Sequence, residues 1–412
     1  MIEFDSKIFI RQLLIVKLFK IIKVFFAGLC IIITILMILQ YVVNSKYTFP
    51  EPQAFQGEFI YNPYRNIDIT KWRRANFHAH ARKFLEQSKG ATKSLLILDS
   101  LYKSLDFNII SISDYQFIDR YESKNKWYIP VYEHGFQYYK NHQLVLNANR
   151  VNWTDFPFPQ TISNEQFVID QLKKNSATII TIVHPVYRKA YSNNDLKYLS
   201  NYNCLEIANH DRLFTECYDT ILSAGHPVFI MAGDDAHEWT NINDVCSSFN
   251  LINSDLVRDS ILNALSTGRS IGVKFNISSF KTNEEKKAAL LDLPEIDAIN
   301  FKNDTLTVCL NKSVKRIKFI GRHGIEKKSV TDCATGSCFF SIKDTYLRTE
   351  IECNDGTIYF LNPLFRFNGI RLTYYAPTLN VFKTWAWRSA LIFLLILISI
   401  IWYGKRCIKT KK

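Results

Sequence analysis

His78-Ala-His80, Asp114, Glu133, His142, His184-Pro185 and Asp235-Ala-His237 follow one another between residues 78 and 237, most of them where an apolar run stops. Imidazole nitrogens and carboxylate oxygens of this kind suit zinc, manganese or iron. The two histidines of an HxH pair on a strand face the same side, because side chains alternate with a period of two. A carboxylate shared by two ions holds them close, and such a pair activates water for hydrolysis. Each piece is weak alone: His226-Pro227 repeats the His-Pro step without companions. Order and placement carry the reading.

The elements that must position these residues are legible between 66 and 277. Phe107–Ser113, Trp127–Tyr132, Ala177–Val183, Asn203–Ala208 and Pro227–Gly233 are short runs with β-branched or aromatic character. Amphipathic stretches such as Asn164–Lys174 and Asp255–Ser266 lie between them, the latter stopped by Gly268. Strands this apolar, alternating with helices, predict a parallel sheet covered on both faces, as an open sheet or a barrel. The charged stretch Lys281–Lys287 is expected to end this domain. Beyond it, over 294–372, strand patterns recur around Asn354-Asp355-Gly356, a strong hairpin turn, and predict a small antiparallel β module.

With these motifs in hand, the chain resembles the polymerase and histidinol phosphatase (PHP) superfamily of metallohydrolases. The resemblance rests on Asn76-Phe-His-Ala-His80, Ser113-Asp114, Glu133, His142-Gln-Leu-Val-Leu146, His184-Pro185 and Gly233-Asp-Asp-Ala-His237. Ile261–Arg269 is similar to that family's last helix. Tyr346-Leu-Arg-Thr-Glu350 and Leu361-Asn-Pro-Leu364 resemble the β module of its carbaryl-hydrolase-like branch. The resemblance implies an α/β fold, a distorted (β/α)7 barrel over 66–277 followed by a β-sandwich-like module. It implies that His78, His80 and Asp235 hold one metal ion, that Glu133 bridges to a second, and that His142 and His184 complete the second.

His237 would then serve a third ion, but here the chain departs from the pattern. Many members have Asp-His where this chain has Asp114-Tyr115, and after the HxH pair only Glu86 stands near a further ligand position. Two divalent ions are therefore expected rather than three. With the third site empty, His237 or Asp114 is left as proton carrier. Arg82 and Arg188, close behind ligand motifs, are candidates to clamp a phosphate or are solvated loop charges. Glu206 and Asn209 match a family segment read as structural.

The ends of the chain are of a different kind. Val24–Val43 is almost unbroken apolar sequence, and Ala390–Tyr403 is a second run bordered by Trp385, Trp387, Trp402 and Tyr403. The formal charge of +13 sits mostly at these ends. Lys7, Arg11, Lys17, Lys20 and Lys23 precede or enter the first run, and Lys405, Arg406, Lys409, Lys411 and Lys412 follow the second. By the positive-inside rule both termini are cytoplasmic, with spans in 1–45 and 385–404, a basic tail over 405–412, and residues 45–385 across the membrane. The middle of the chain is nearly balanced in charge, which argues against a nucleic-acid partner.

Of nine cysteines, seven fall between the spans, and at least one disulfide is expected in the β module, as Cys333–Cys338 or Cys309–Cys353. The leading functional expectation is a membrane-anchored, metal-dependent hydrolase acting on a small-molecule phosphoester. Carboxyl ester or amide cleavage is a second hydrolytic reading, and a catalytically degenerate binding protein a third.

Overall fold

The apolar runs become strands β1 (Trp72–Asn76), β2 (Ile109–Ile110), β3 (Val131–His134), β4 (Gln143–Leu146), β5 (Ile179–Ile182), β6 (Cys204–Asn209) and β7 (Phe229–Gly233) in a computed structural model. It describes residues 2–82, 90–175, 177–238, 241–277, 280–370, 372 and 375–409. Every residue of β2 to β7 is buried, which explains why these strands show no polar face in the sequence. Helices flank them. Ile162–Leu172 starts at a capping box between Thr161 and Asn164, and Arg258–Ser266 ends before Gly268, whose φ of +73° suits glycine.

The strand directions are mixed rather than wholly parallel. β1–β2, β5–β6 and β6–β7 pair in parallel, whereas β4 runs against both β3 and β5. The short link between His134 and Gln143 permits only a reversal there. β3 to β7 form one sheet in the order β7-β6-β5-β4-β3, and β1 and β2 belong to another. Two isolated parallel bridges, Ala79–Ala236 and Tyr115–Glu133, connect the two sheets.

The expected β module does not stand apart. β8 (Ser248–Asn253), β9 (Ser270–Lys274), β10 (Ile296–Lys302), β11 (Thr305–Ile320), β12 (Glu326–Phe339), β13 (Tyr346–Glu352) and β14 (Ile358–Phe367) join β1 and β2 in one sheet ordered β10-β11-β13-β14-β9-β8-β1-β2, with β12 on β11. The seam is antiparallel pairing of β9 with β14, Ile271 opposite Leu361 and Val273 opposite Tyr359. Residues Thr48–Thr378 accordingly form a single compact unit. The charged stretch read as a boundary instead opens the helix Asn283–Asp292, capped by Thr282. Its Lys286 is buried and donates to the carbonyls of Ile242 and Val245. The Asn354-Asp355-Gly356 hairpin is present, with Gly356 at φ +90°.

Side chains stitch across the seam as well. Asn362 of β14 is 1% exposed; its Oδ1 accepts from the Ile230 amide at 2.7 Å, and its Nδ2 donates to the carbonyls of Ser270 (2.9 Å) and Gly268 (3.0 Å). Arg348 of β13 grips Asp219 through two bonds of 2.7 and 2.6 Å in a buried setting.

The cysteines of this region are free, as are the other cysteines among the described residues whose side chains are placed. Cys333 and Cys338 lie five positions apart on one continuous strand, so no turn brings them together. At ~3.4 Å per residue they sit about 17 Å apart, far beyond the ~7 Å a disulfide spans. Cys309 faces Thr335, while Cys353 follows Glu352, the partner of Arg316, several residues along β11 from Cys309. Both expected pairings are therefore excluded by register.

The ends form a second unit, Met1–Tyr47 with Leu379–Lys412. The helix Ile2–Val43 contains an apolar stretch of 30 residues, Leu14–Val43, and the helix Val381–Lys409 one of 21 residues, Val381–Ile401. Each is long enough for a hydrocarbon core of ~30 Å. Asn380 caps the second helix by accepting from the Lys383 amide. Trp387 and Arg388 donate to the carbonyls of Tyr41 and Val43, which the first helix leaves unpaired as it ends.

Replacing Asn362 by alanine leaves the Ile230 amide and two buried carbonyls without their partner. We expect a loss of about 3 kcal/mol in stability, read as a lowered thermal midpoint of the full chain in detergent. A change under about 0.5 kcal/mol would show that the seam does not depend on this side chain.

Candidate metal centre

Backbone pairing at the strand ends sets the ligands. The Asp235 amide donates to the His78 carbonyl and the His80 amide to the Ala236 carbonyl, both at 2.9 Å, so the HxH and DxH pieces run side by side. The Ser113 amide donates to Ala79, the Glu133 amide to Ser113, and the Val183 amide to His142. Gly233 permits a close approach: a Cβ there would lie 2.5 Å from His78 Cβ and 2.8 Å from Glu206 Oε1. His184 and Asp235 occupy the left-handed region, at φ 32° and 52°, a strained backbone of the kind that clusters at functional sites.

Two groups of side chains converge, and they share Glu133: His78, His80, Glu133 and Asp235 in one, Glu133, His142 and His184 in the other. Within each group the ligand atoms lie within 4.8 Å of one another. His80 Nε2 is 3.0 Å from Glu133 Oε2 and 3.2 Å from Asp235 Oδ1, and His78 Nε2 is also 3.2 Å from Asp235 Oδ1. The other oxygen of Glu133 meets His184 Nε2 at 3.1 Å and His142 Nδ1. Each Glu133 oxygen thus faces a different group.

These donors fit a divalent cation. His78 Nε2, His80 Nε2, Glu133 Oε2 and Asp235 Oδ1 are buried and make no well-aligned hydrogen bond. Such convergence is costly unless a cation occupies it. Burial favours the neutral carboxyl of Glu133, yet the imidazoles of His142, His184 and His78 outweigh it and hold the group well below its usual range. Burial pushes His142 down to about 4 and so keeps it neutral, as a metal ligand must be. At His80 burial acts the same way, but the Asp235 and Glu133 carboxylates prevail and raise it to about 9.

A second set of residues fixes the ligands, and Glu206 is the one sequence reasoning undervalued. Its Oε1 lies 2.7 Å from His78 Nδ1, and its Oε2 accepts from the His184 amide at 2.7 Å and from Asn209 at 2.9 Å. One carboxylate therefore orients a ligand of each group, as carboxylate–histidine–metal arrangements do. The signal was present: Glu206 is an acid inside the apolar run Cys204–Ala208, and it is fully buried. Asp234 is similar, accepting from Asn76, Tyr102 and the Cys246 amide, with burial raising it to about 6.

The remaining candidates separate. Asp114, expected as a proton carrier, is bound to the loop after His80. It is 1% exposed, its Oδ1 accepts from the amides of Ala81 and Arg82, and its Oδ2 pairs with Arg82 Nε at 3.3 Å. Arg82 is thereby committed to Asp114, with its guanidinium 3.7 Å from the centre of the Phe117 ring, rather than free to clamp a substrate. Both hold the loop after His80. His237 stands outside both groups; it stacks on His80 at 4.4 Å, reaches Asp235 Oδ1 at 3.3 Å and is half exposed. Tyr115 stacks on His80 at 4.5 Å. Arg188 lines the cleft above the ligands, about 500 Å³ in volume, together with Tyr115, Lys140, His184, Arg212 and His237. Glu86 lies outside the described residues.

No family model and no curated protein matches the chain. Among solved structures, PsfC from Pseudomonas syringae PB-5123 aligns with 53% of this chain and 96% of its own, at 12% identity and a TM-score of 0.35. A likeness this remote assigns neither fold nor activity.

Truncating Glu133 removes a ligand from both groups at once. Elemental analysis of the full chain in detergent should therefore find Glu133→Ala nearly metal-free, while Glu206→Gln retains the site with affinity lowered about 10–100-fold. Wild-type metal content in Glu133→Ala would refute the shared-ligand arrangement.

Proposed function

We propose that the chain is a membrane-anchored, metal-dependent phosphoesterase with a PHP-type distorted (β/α)7 barrel. The observation that carries the proposal is the pair of ligand groups joined through Glu133 and backed by Glu206. The barrel reading is supported by the two bridges between sheets, which link the strand ends in the order β1 to β7 and back to β1. His78, His80, Asp235 and Glu133 would hold one ion, and Glu133, His142 and His184 a second, of zinc, manganese or iron. When bound, such ions lower the pKa of water and polarise a phosphoryl oxygen.

The chain's own residues supply the rest. Lys140 and Arg188 line the cleft with no ion pair among the described residues, which supports an anionic ester over a neutral one and ranks phosphoester above carboxyl ester or amide cleavage. Hydrolysis breaks the ester P–O bond, forms a new one to the water oxygen and delivers a proton to the departing alkoxide. His237, tethered to Asp235 but open to the cleft, is placed for that proton transfer. Asp244 steadies it by accepting from the His237 and Glu238 amides at 2.6 and 2.5 Å.

Metal-loaded full chain should release phosphate from phosphomonoesters or phosphodiesters in a panel that also contains carboxyl esters. His237→Ala should retain its metal and lose about 100-fold in kcat. Hydrolysis confined to the carboxyl esters would move the protein to the second class. Full metal content with no turnover of any ester would make it a binding protein.

The orientation follows from the basic residues flanking the spans: both termini cytoplasmic, the metal centre on the other side. Reporters fused after Lys412 and inserted at the exposed Gly369 should lie on opposite sides of the membrane. The same side for both would overturn the two-span topology.

A further inference from the structure

Asp211, Asp235 and Asp244 also line the cleft, but two of its three cations stand apart from them. Among the described residues Lys140 and Arg188 form no ion pair, and Arg212 reaches only Asp211, at 4.0 Å. Each is held instead against a tyrosine ring: Lys140 over Tyr115 at 4.8 Å, Arg212 over Tyr187 at 4.4 Å, and Arg188 near Tyr187 and Tyr138 at 5.5 and 5.4 Å. Stacking of this kind fixes a guanidinium or ammonium group while leaving its charge available to an anion.

Arg188 also connects the cleft to an apolar surface. Its partner Tyr138 is 72% exposed, and Phe136, two residues earlier, binds Asp155 through its amide at 2.9 Å. Asp155 sits between Trp153 and Phe158 in sequence, and both of these rings are exposed, at 65% and 57%. Val186, from the same loop as Arg188, is exposed as well. Two loops anchored to each other through Asp155 therefore carry four exposed large rings, Phe136, Tyr138, Trp153 and Phe158, of which Tyr138 stands beside Arg188 of the cleft. An isolated exposed ring is ordinary, but several together beside a cleft mark a binding surface. Exposed Trp, Tyr and Phe beside Arg and Lys is the composition found at membrane–water interfaces. The chain also carries two helices apolar and long enough to span a membrane.

Resting on the phosphoesterase reading, we propose that the substrate is a phosphorylated lipid: its anionic head enters the cleft between Lys140, Arg188 and Arg212, and its hydrocarbon lies on the shelf of Phe136, Tyr138, Trp153 and Phe158. The cleft and the shelf recognise different parts of one molecule. Affinity must then grow with alkyl length at constant head group, and the shelf must be the source of that growth. Full burial of a methylene strengthens binding about fourfold, so contact on a half-open shelf gives about twofold for each.

The test uses the metal-loaded full chain in amphipol and non-hydrolysable alkylphosphonates below their micellar range, with calorimetry as the readout. Octylphosphonate should bind about 16-fold more tightly than butylphosphonate, and that ratio should fall to near one in Trp153→Ser/Phe158→Ser. Retained metal content shows that the variant is folded, and the wild-type series tests the inference even if the variant is lost. Lys140→Gln/Arg188→Gln should weaken both ligands by a similar factor. Equal affinity for the two chain lengths, or a ratio unchanged in the shelf variant, overturns the lipid inference and leaves the phosphoesterase reading intact. Absence of any phosphonate binding overturns both. In phosphatidylcholine vesicles containing phosphatidic acid, the reconstituted protein should release phosphate from the lipid. Release from added octyl phosphate alone would overturn the assignment to a lipid.

Discussion

The rest of the structure depends on one buried carboxylate. Glu133 is fully enclosed, and four imidazoles, those of His78, His80, His142 and His184, approach its two oxygens. An isolated charge in that position would cost several kcal/mol or more, so the surroundings must supply opposite charge. Imidazole N–H groups do so in part, and a divalent cation would do so better. The strand ends that bring these groups together are therefore under an electrostatic constraint as well as a packing one.

That constraint propagates outward through hydrogen bonds and backbone strain. Glu206 reaches one ligand side chain and the backbone of another, so it couples the two groups without belonging to either. Gly233 leaves room for the His78–Glu206 contact, and the left-handed backbone at His184 and Asp235 aims their side chains inward. Strain of this sort persists only where the surroundings are stiff. Here the continuous sheet provides stiffness: β8 and β9 pair the strands near the ligands to β14, and Asn362 ties β14 back to β7. The C-terminal strands, expected to form a module of their own, instead brace the candidate metal centre.

The lining of the cleft separates positioning from recognition. Asp114 and Arg82, close to the ligands in sequence, turn toward each other and hold the loop after His80. Lys140 and Arg188 come from segments far apart in sequence and line the cleft with no ion pair among the described residues. Proximity along the chain was a poor guide to which charge faces the cleft, because a charged group one turn from a ligand is as easily satisfied by its neighbour as by a substrate.

What the sequence by itself determined was the set of candidate ligands and the apolar ends. A metal donor is recognisable by residue type, and strand ends are recognisable by where an apolar run stops, so both are local properties. For the same reason the Asn354-Asp355-Gly356 hairpin and the two long apolar helices were legible. The sharing of Glu133 by two groups was already expected from the resemblance; only the tertiary structure decided that Glu206 is their common support and that His237 stands beside them rather than among them. It also decided that Cys333 and Cys338 lie along one strand and that the C-terminal strands join the same sheet as β1. These are matters of register and long-range pairing. Residues that meet across a sheet carry no local mark of their partner, because a strand satisfies its hydrogen bonds equally well against many others.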